Sequence, residues 1–187
     1  MRYLYFSLVM TLHLAACAQS DYFRELTDYP DDYTTGLVAA RMVDGLGYRY
    51  YWATKDLTTS DLDYRPSEEA RSSLETIRHI YGLSEMIMRA VIKETPNRTD
   101  RVKSYEELRE ATLRNLKLIS DSLKLSSDVK DFNLQFGDNY SLPFWNVING
   151  PIADAIYHTG QIVSFRRTTG NPINPNLSVL RGNDPEK

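Results

Sequence analysis

Cysteine is almost absent from this sequence, since Cys17 is the single cysteine among 187 residues. Without a second cysteine, the chain has no partner for an intramolecular disulfide. A chain of this length can still bury a sizeable core without disulfides or structural metals. We therefore expect one domain, or one domain with tails.

An excess of basic charge is also absent. The chain has 22 Lys and Arg against 25 Asp and Glu, which gives a formal net charge of −3. Proteins that bind nucleic acids usually carry a basic surface that neutralises phosphates, so we expect no nucleic-acid partner. The shares of hydrophobic residues, 42%, and charged residues, 25%, are ordinary for a soluble globular domain.

The sequence also lacks an apolar run long enough to span a bilayer. The apolar stretch of residues 4–16 follows Arg2 and has the length of a signal-peptide core. The stretch ends in Leu14-Ala15-Ala16-Cys17, which resembles the lipobox of bacterial lipoproteins, where two small residues precede the acylated cysteine. We interpret residues 1–16 as a signal peptide and expect Cys17 to carry a lipid anchor.

A lipid anchor on Cys17 would place the protein in the cell envelope, on the periplasmic side or at the outer membrane. The membrane would then be its partner through the anchor. The alternative is an ordinary secretory leader cut near Ala18, which would remove Cys17 altogether.

Helical periodicity dominates the rest of the chain. Residues 17–33 have no clear period and are interpreted as a tether. Apolar residues then recur at three- and four-residue steps in stretches that predict helices over 34–56, 67–94, 105–125 and 143–169. Without strand signals, we expect an all-α four-helix bundle over residues 34–172, followed by an extended, partly disordered tail over 173–187.

Several local signals refine these helices. Ser67 and Ser104 are each followed by acidic residues, which predicts that they cap the second and third helices. Gly150-Pro151 predicts a break in the fourth helix, because proline cannot donate to the preceding turn. Residues 126–142 are polar and irregular, and we expect Phe132 and Phe136 to pack back onto the helices.

Histidine is scarce, and it supplies the candidate site. Of three histidines, His13 lies in the predicted signal peptide, whereas His79 and His158 fall within predicted helices. Asp154 lies four residues before His158, so the two project from one helix face with Cβ atoms about 5–6 Å apart. Two imidazoles and a carboxylate could hold one metal ion and leave coordination positions open for water or substrate. The alternative is that the histidines are hydrogen-bonded core residues.

Two longer stretches resemble the DinB-like superfamily. The first is YYWATKDLTTSDLDYRPSEEARSSLETIRHIYGLSE, over residues 50–85, and the second is DAIYHTGQIVSFRRTTGNP, over residues 154–172. Gly160-Gln161-Ile162 matches the family's fourth helix in place, and the resemblance covers residues 34–172. It implies a four-helix bundle whose metal ligands come from the second and fourth helices.

Carried over by residue, the resemblance implies that His79 and His158 are metal ligands. Asp154 stands where the family usually has a further histidine. Aspartate can ligate zinc, nickel, manganese or iron, so the site is either retuned towards harder metals or degenerate. Gln161, close after His158, is expected to orient a ligand or to cap a polar pocket.

Two classes of function follow. The resemblance implies a metal-dependent transferase or hydrolase that acts on a small molecule, in a chain that can form a homodimer. The alternative is a non-catalytic, lipid-anchored binding module with a degenerate metal site. Among weaker candidates, the residues Asp44, Tyr48 and Tyr51 could line the cavity or belong to the core. Arg166 and Arg167 could hold an anion or simply complement the end of their own helix.

Overall fold

Helices form most of the structure, a computed structural model that describes residues 21–26, 28–93 and 103–186. The predicted signal peptide, the lipobox and Cys17 lie outside these residues, as does the predicted end of the second helix at residue 94. None of the helices in the described part of the chain is both long and apolar enough to cross a membrane.

Six α-helices and two short strands follow one another in the described residues. The predicted fourth helix is divided into α5, a π-helical turn and α6. In chain order the elements are α1 (Thr35–Ala53), α2 (Thr59–Asp63), α3 (Ser73–Val91), α4 (Tyr105–Lys124), β1 (Asn133–Phe136), β2 (Tyr140–Pro143), α5 (Phe144–Val147), the π-helical turn (Ile148–Ile152) and α6 (Ala153–Thr168).

Four long helices, α1, α3, α4 and α6, pack around a shared core. Both α1 and α3 contact α4 on one side and α6 on the other. Most of the buried side chains are apolar, and the largest of those that are fully buried are Tyr48, Tyr50, Leu46, Ile77, Ile80, Ile87, Leu108, Leu113, Leu116, Ile119, Leu123 and Ile152. The broad prediction of an all-α fold is confirmed, and the packing of α3 on α6 positions the candidate site.

Reciprocal capping boxes fix where α3 and α4 begin. Ser104 caps α4 as predicted, and its side chain accepts from the backbone N–H of Glu107 while the Glu107 carboxylate accepts from Ser104. The prediction of Ser67 as the cap of the second helix is wrong. Ser72 caps α3 instead, because Glu75 stands three residues later and completes the box.

The predicted break at Gly150-Pro151 is confirmed. Gly150 has φ −88° and ψ −106°, outside the helical range, and Pro151 lies within the π-helical turn. Because proline lacks a backbone N–H, the chain changes direction here before α6 begins at Ala153. The break therefore sets the direction in which α6 begins, and with it the position of Asp154 in the first turn of α6.

A small hairpin interrupts the otherwise helical fold, where no strand was expected. β1 and β2 pair antiparallel, with Phe136 opposite Tyr140, and Gly137 turns the chain at φ +62°. Phe132 does pack back, against Phe144, with ring centroids 6.1 Å apart. Phe136 does not, because it lies at the exposed end of the hairpin and contacts Tyr140.

The two ends of the described chain meet in a packed unit, the terminal clasp, which comprises residues 21–26 and 177–186. The backbone N–H of Leu26 donates to the carbonyl of Gly182 at 2.6 Å, and Arg24 donates to Asp184 at 2.6 Å. Phe23, only 8% exposed, lies against Gly47 of α1, where any side chain would collide with its ring. These segments differ from the expected tether and extended tail, because they carry their own buried contacts.

Candidate metal centre

Two helices supply the candidate site. His79 lies in the first half of α3, and Asp154 and His158 lie one turn apart on α6. Since α3 packs directly against α6, the facing positions of the two helices are brought together. The i, i+4 spacing on α6 then places both of its candidate groups towards His79.

The structure brings His79, Asp154 and His158 into one cluster, called here the trio. One ligand atom from each residue lies within 4.8 Å of the other two. Nε2 of His79 is 3.2 Å from Oδ2 of Asp154, and Nε2 of His158 is 3.3 Å from Oδ1 of the same carboxylate. The imidazole rings are 4.7 Å apart and nearly perpendicular.

The trio is buried on one side and open on the other. The side chain of His158 is 11% exposed, whereas those of His79 and Asp154 are 30% and 42% exposed. Small molecules can therefore reach His79 and Asp154 from solvent, while His158 is held against the protein.

Gln161 is the hydrogen-bond partner of Nδ1 of His158. Its Oε1 lies 2.7 Å from that nitrogen. In the tautomer with the proton on Nδ1, the imidazole donates this bond, and Nε2 presents a lone pair towards Oδ1 of Asp154, which is also an acceptor. A metal ion between the two atoms would satisfy both. In the other tautomer, the Nε2–H donates to Asp154, and the Gln161 amide, turned over, donates to Nδ1.

The distances and donor types fit a divalent ion. Ligand atoms arranged tetrahedrally at 2.0–2.1 Å from an ion lie about 3.3–3.4 Å from each other. The two imidazole-to-carboxylate distances, 3.2 Å to Oδ2 and 3.3 Å to Oδ1 of Asp154, are close to that separation, so the carboxylate would reach the ion with either oxygen or with both. Two imidazoles and a carboxylate suit zinc and non-haem iron, and such a set leaves coordination positions for water or substrate.

The same geometry also allows a metal-free arrangement. A carboxylate can accept a hydrogen bond from each of two imidazoles when those nitrogens are protonated. Asp154 would then bridge His79 and His158 through separate oxygens, at the same 3.2 and 3.3 Å. The metal-bound arrangement corresponds to the metal-dependent enzyme expected from the sequence. The metal-free arrangement corresponds to the alternative, a non-catalytic binding module.

The weaker sequence candidates lie elsewhere. Asp44 is buried on α1 and accepts from Ser120, and Lys124 pairs with it at 3.0 Å. The hydroxyl of Tyr48 donates to the carbonyl of Asn183 in the terminal clasp. Tyr51 packs edge-on against Trp52 with centroids 5.1 Å apart. All three contribute to packing between elements rather than to the trio.

Arg166 makes contacts with α1 that could not be inferred from its position in the last turn of α6. It is 4% exposed, and its Nη1 donates to the carbonyls of Trp52, Ala53 and Lys55, each at 3.1 Å. Those carbonyls belong to the end of α1, where the helix dipole favours a cation. Burial lowers the pKa of the Arg166 guanidinium. The residue is therefore committed to the fold and does not face an anionic ligand.

Tyr157 is a neighbour of the site that the sequence analysis did not single out. Its ring lies 5.2 Å from the ring of His158 and is inclined to it by 67°. The residue follows Asp154 by three positions on α6, so the helical spacing used for His158 could also have identified it.

Comparisons with protein-family models, with curated proteins and with solved structures found no match to this chain. What the trio can do is therefore inferred from its own atoms and from the sequence.

Proposed function

We propose that this protein is a DinB-like, lipid-anchored protein of the bacterial envelope that binds one divalent metal ion through His79, Asp154 and His158. With the ion bound, it acts as a metal-dependent transferase or hydrolase on a small molecule. The observation that carries the proposal is the convergence of one potential ligand atom from each of His79, Asp154 and His158, all within 4.8 Å of one another.

The chain's own residues divide the work in this proposal. A divalent ion held here supplies Lewis acidity and lowers the pKa of a bound water or thiol. His158, with its ring held by Gln161, gives the site its fixed orientation. His79 and Asp154 are partly exposed, so they form the side from which a substrate approaches.

The competing proposal is a binding module whose metal site is degenerate. It is favoured by the ability of Asp154 to bridge both histidines by hydrogen bonds alone. In that case the trio joins α3 to α6 and has no catalytic role.

Metal content of purified protein separates the two proposals. We expect about one divalent ion per chain, measured by inductively coupled plasma mass spectrometry after dialysis. His79→Ala and His158→Ala should abolish binding, because each removes an imidazole ligand. Asp154→Ala should weaken binding, and Asp154→His should preserve or tighten it.

Asp121→His is the matched control for Asp154→His. The Asp121 side chain on α4 is 46% exposed, close to the 42% of Asp154, and it pairs with Lys117 rather than with a histidine. Adding a histidine there should not change the metal content. Wild-type protein that binds no divalent ion while its circular dichroism is that of a folded helical chain would favour the binding module.

A further inference from the structure

Gly82 leaves an open position beside the trio. It lies in the middle of α3, three residues after His79, and therefore on the same face of the helix. Helical side chains lean towards the N-terminus, so a side chain at position 82 would extend back towards His79. Its absence leaves the exposed side of His79 uncovered.

Packing does not account for this glycine. At Gly47 a Cβ atom would lie 2.5 Å from the ring of Phe23, so a larger residue is excluded there. At Gly82 the corresponding position has no neighbour within 4 Å apart from the adjoining residues and backbone of α3 itself. Glycine inside a helix is destabilising relative to alanine, so the open space at Gly82 comes at a cost in helix stability.

Tyr157 borders the trio at His158. The centroids of the Tyr157 and His158 rings are 5.2 Å apart, yet Tyr157 is 64% exposed. An exposed aromatic ring next to potential metal ligands provides a flat apolar surface on which a bound molecule can pack. The trio thus has room at Gly82 and a contact surface at Tyr157.

We propose that the substrate of this site carries a planar apolar group, which packs on Tyr157, while the substrate reaches the ion over Gly82. A metal-binding oxygen or sulfur of the same molecule would occupy the open coordination position. This inference rests on the metal-dependent function proposed above. It makes Gly82 and Tyr157 the residues that determine specificity.

Two probes with the same metal-binding head group test the inference. Acetohydroxamate carries a methyl group, and benzohydroxamate carries a phenyl ring. Their affinities for protein loaded with Co²⁺ and freed of unbound ion can be measured from the absorption bands of the bound ion. Wild-type protein should bind benzohydroxamate about 3–10-fold more tightly, as expected for one aromatic contact. Tyr157→Ala should remove that preference.

Gly82→Leu should lower the affinity for benzohydroxamate by about tenfold, because the added side chain occupies the space needed by the phenyl ring. It should leave Co²⁺ content and acetohydroxamate affinity near their wild-type values. Arg114→Leu is the control. Arg114 is also exposed, but it lies on α4, whereas the trio lies on α3 and α6.

The outcomes separate this inference from the function on which it rests. If wild-type protein binds no Co²⁺, the proposed function fails, and the inference fails with it. If Co²⁺ binds but the two probes bind with equal affinity, the inference alone is overturned. The same holds if Gly82→Leu does not change the affinity for benzohydroxamate. Melting temperatures of both leucine variants verify that each remains folded.

Discussion

At the scale of single residues, His158 differs from His79 in how firmly it is held. The hydrogen bond to Gln161 fixes the ring of His158 and determines which nitrogen is left to bind a ligand. His79, on the exposed side of the trio, has its contact with Asp154 at 3.2 Å. We therefore expect His158 to be the ligand whose orientation controls affinity.

Replacement of Gln161 tests that expectation. Gln161→Ala should lower metal affinity by about 10–100-fold, the usual effect of removing a partner that orients a ligating histidine. Gln161→Glu should retain most of the affinity, because its carboxylate accepts the same hydrogen bond. Competition with a chromogenic chelator measures both. An alanine variant with wild-type affinity would mean that Gln161 does not orient His158.

Much of the trio could be predicted from residue spacing. His79 and His158 were the only histidines left after the predicted signal peptide, and Asp154 had the i, i+4 spacing that places it beside His158. The role of Gln161 needed the structure, because sequence distance does not tell which side-chain atoms meet. The open space at Gly82 could also be found only from the structure, since a glycine in a helix can either allow close packing or leave a position empty.

At the scale of elements, Asp61 joins α2 to the end of α6. Its carboxylate completes the capping box of α2 with Thr58, and it also accepts from Asn171 at 2.7 Å and from the hydroxyl of Thr169. Burial alone would raise the pKa of Asp61, but the hydrogen bonds from Thr169, Asn171 and Thr58 lower it to about 2. The charged carboxylate is thus the form that the fold favours.

This depressed pKa makes stability depend on pH in a defined direction. The folded-state pKa, about 2, is below the reference value of 3.8, so Asp61 stabilises the fold fully only above about pH 5. The contribution, about 2 kcal/mol, should fall as the pH drops, with about half of it lost by pH 3.

Urea unfolding of wild-type protein and Asp61→Asn at pH 7 and pH 3 checks this prediction. The variant should be less stable by about 2 kcal/mol at pH 7, and the difference should shrink at pH 3. Asp63→Asn, an exposed change on the same short helix, serves as the control and should have little effect. A difference that grows as the pH falls would contradict the assignment.

Element positions were predictable where the local signal was strong. The start of α4 followed from Ser104 and the acids after it, and the break before α6 followed from Pro151. The start of α3 was placed at Ser67, although Ser72 with Glu75 carried the fuller capping signal. The hairpin was missed because strands of four residues are too short for a period-two pattern to stand out.

At the scale of the whole molecule, packing extends beyond the helices that periodicity identifies. The terminal clasp is held by Phe23 on Gly47, by the ion pair of Arg24 with Asp184, and by the backbone bond from Leu26 to Gly182. No repeating pattern marks such contacts in the sequence, because each is made by a single residue. The clasp could therefore be found only from the structure.

Anchoring through Cys17 is a prediction about the whole molecule in its cell. We expect wild-type protein to partition into the detergent phase and its intact mass to include the lipid, because the acylated thiol supplies a hydrophobic anchor. Cys17→Ser should abolish the partitioning or block processing. Ala18→Ser, which leaves the thiol in place, serves as the control. Mature wild-type protein that lacks Cys17 and stays in the aqueous phase would contradict the lipobox interpretation.

With Cys17 acylated as proposed, the terminal clasp would limit how far the helices can stand from a membrane. A tether that ran freely from Cys17 to Tyr33 would reach about 55 Å when fully extended, whereas the six steps from Cys17 to Phe23 span only about 20 Å. Phe23 is already buried against α1. An acylated Cys17 would therefore hold the helices within about two helix diameters of the lipid head groups. The clasp, and not the residues that follow it up to Tyr33, would then set how far the helices stand from the bilayer.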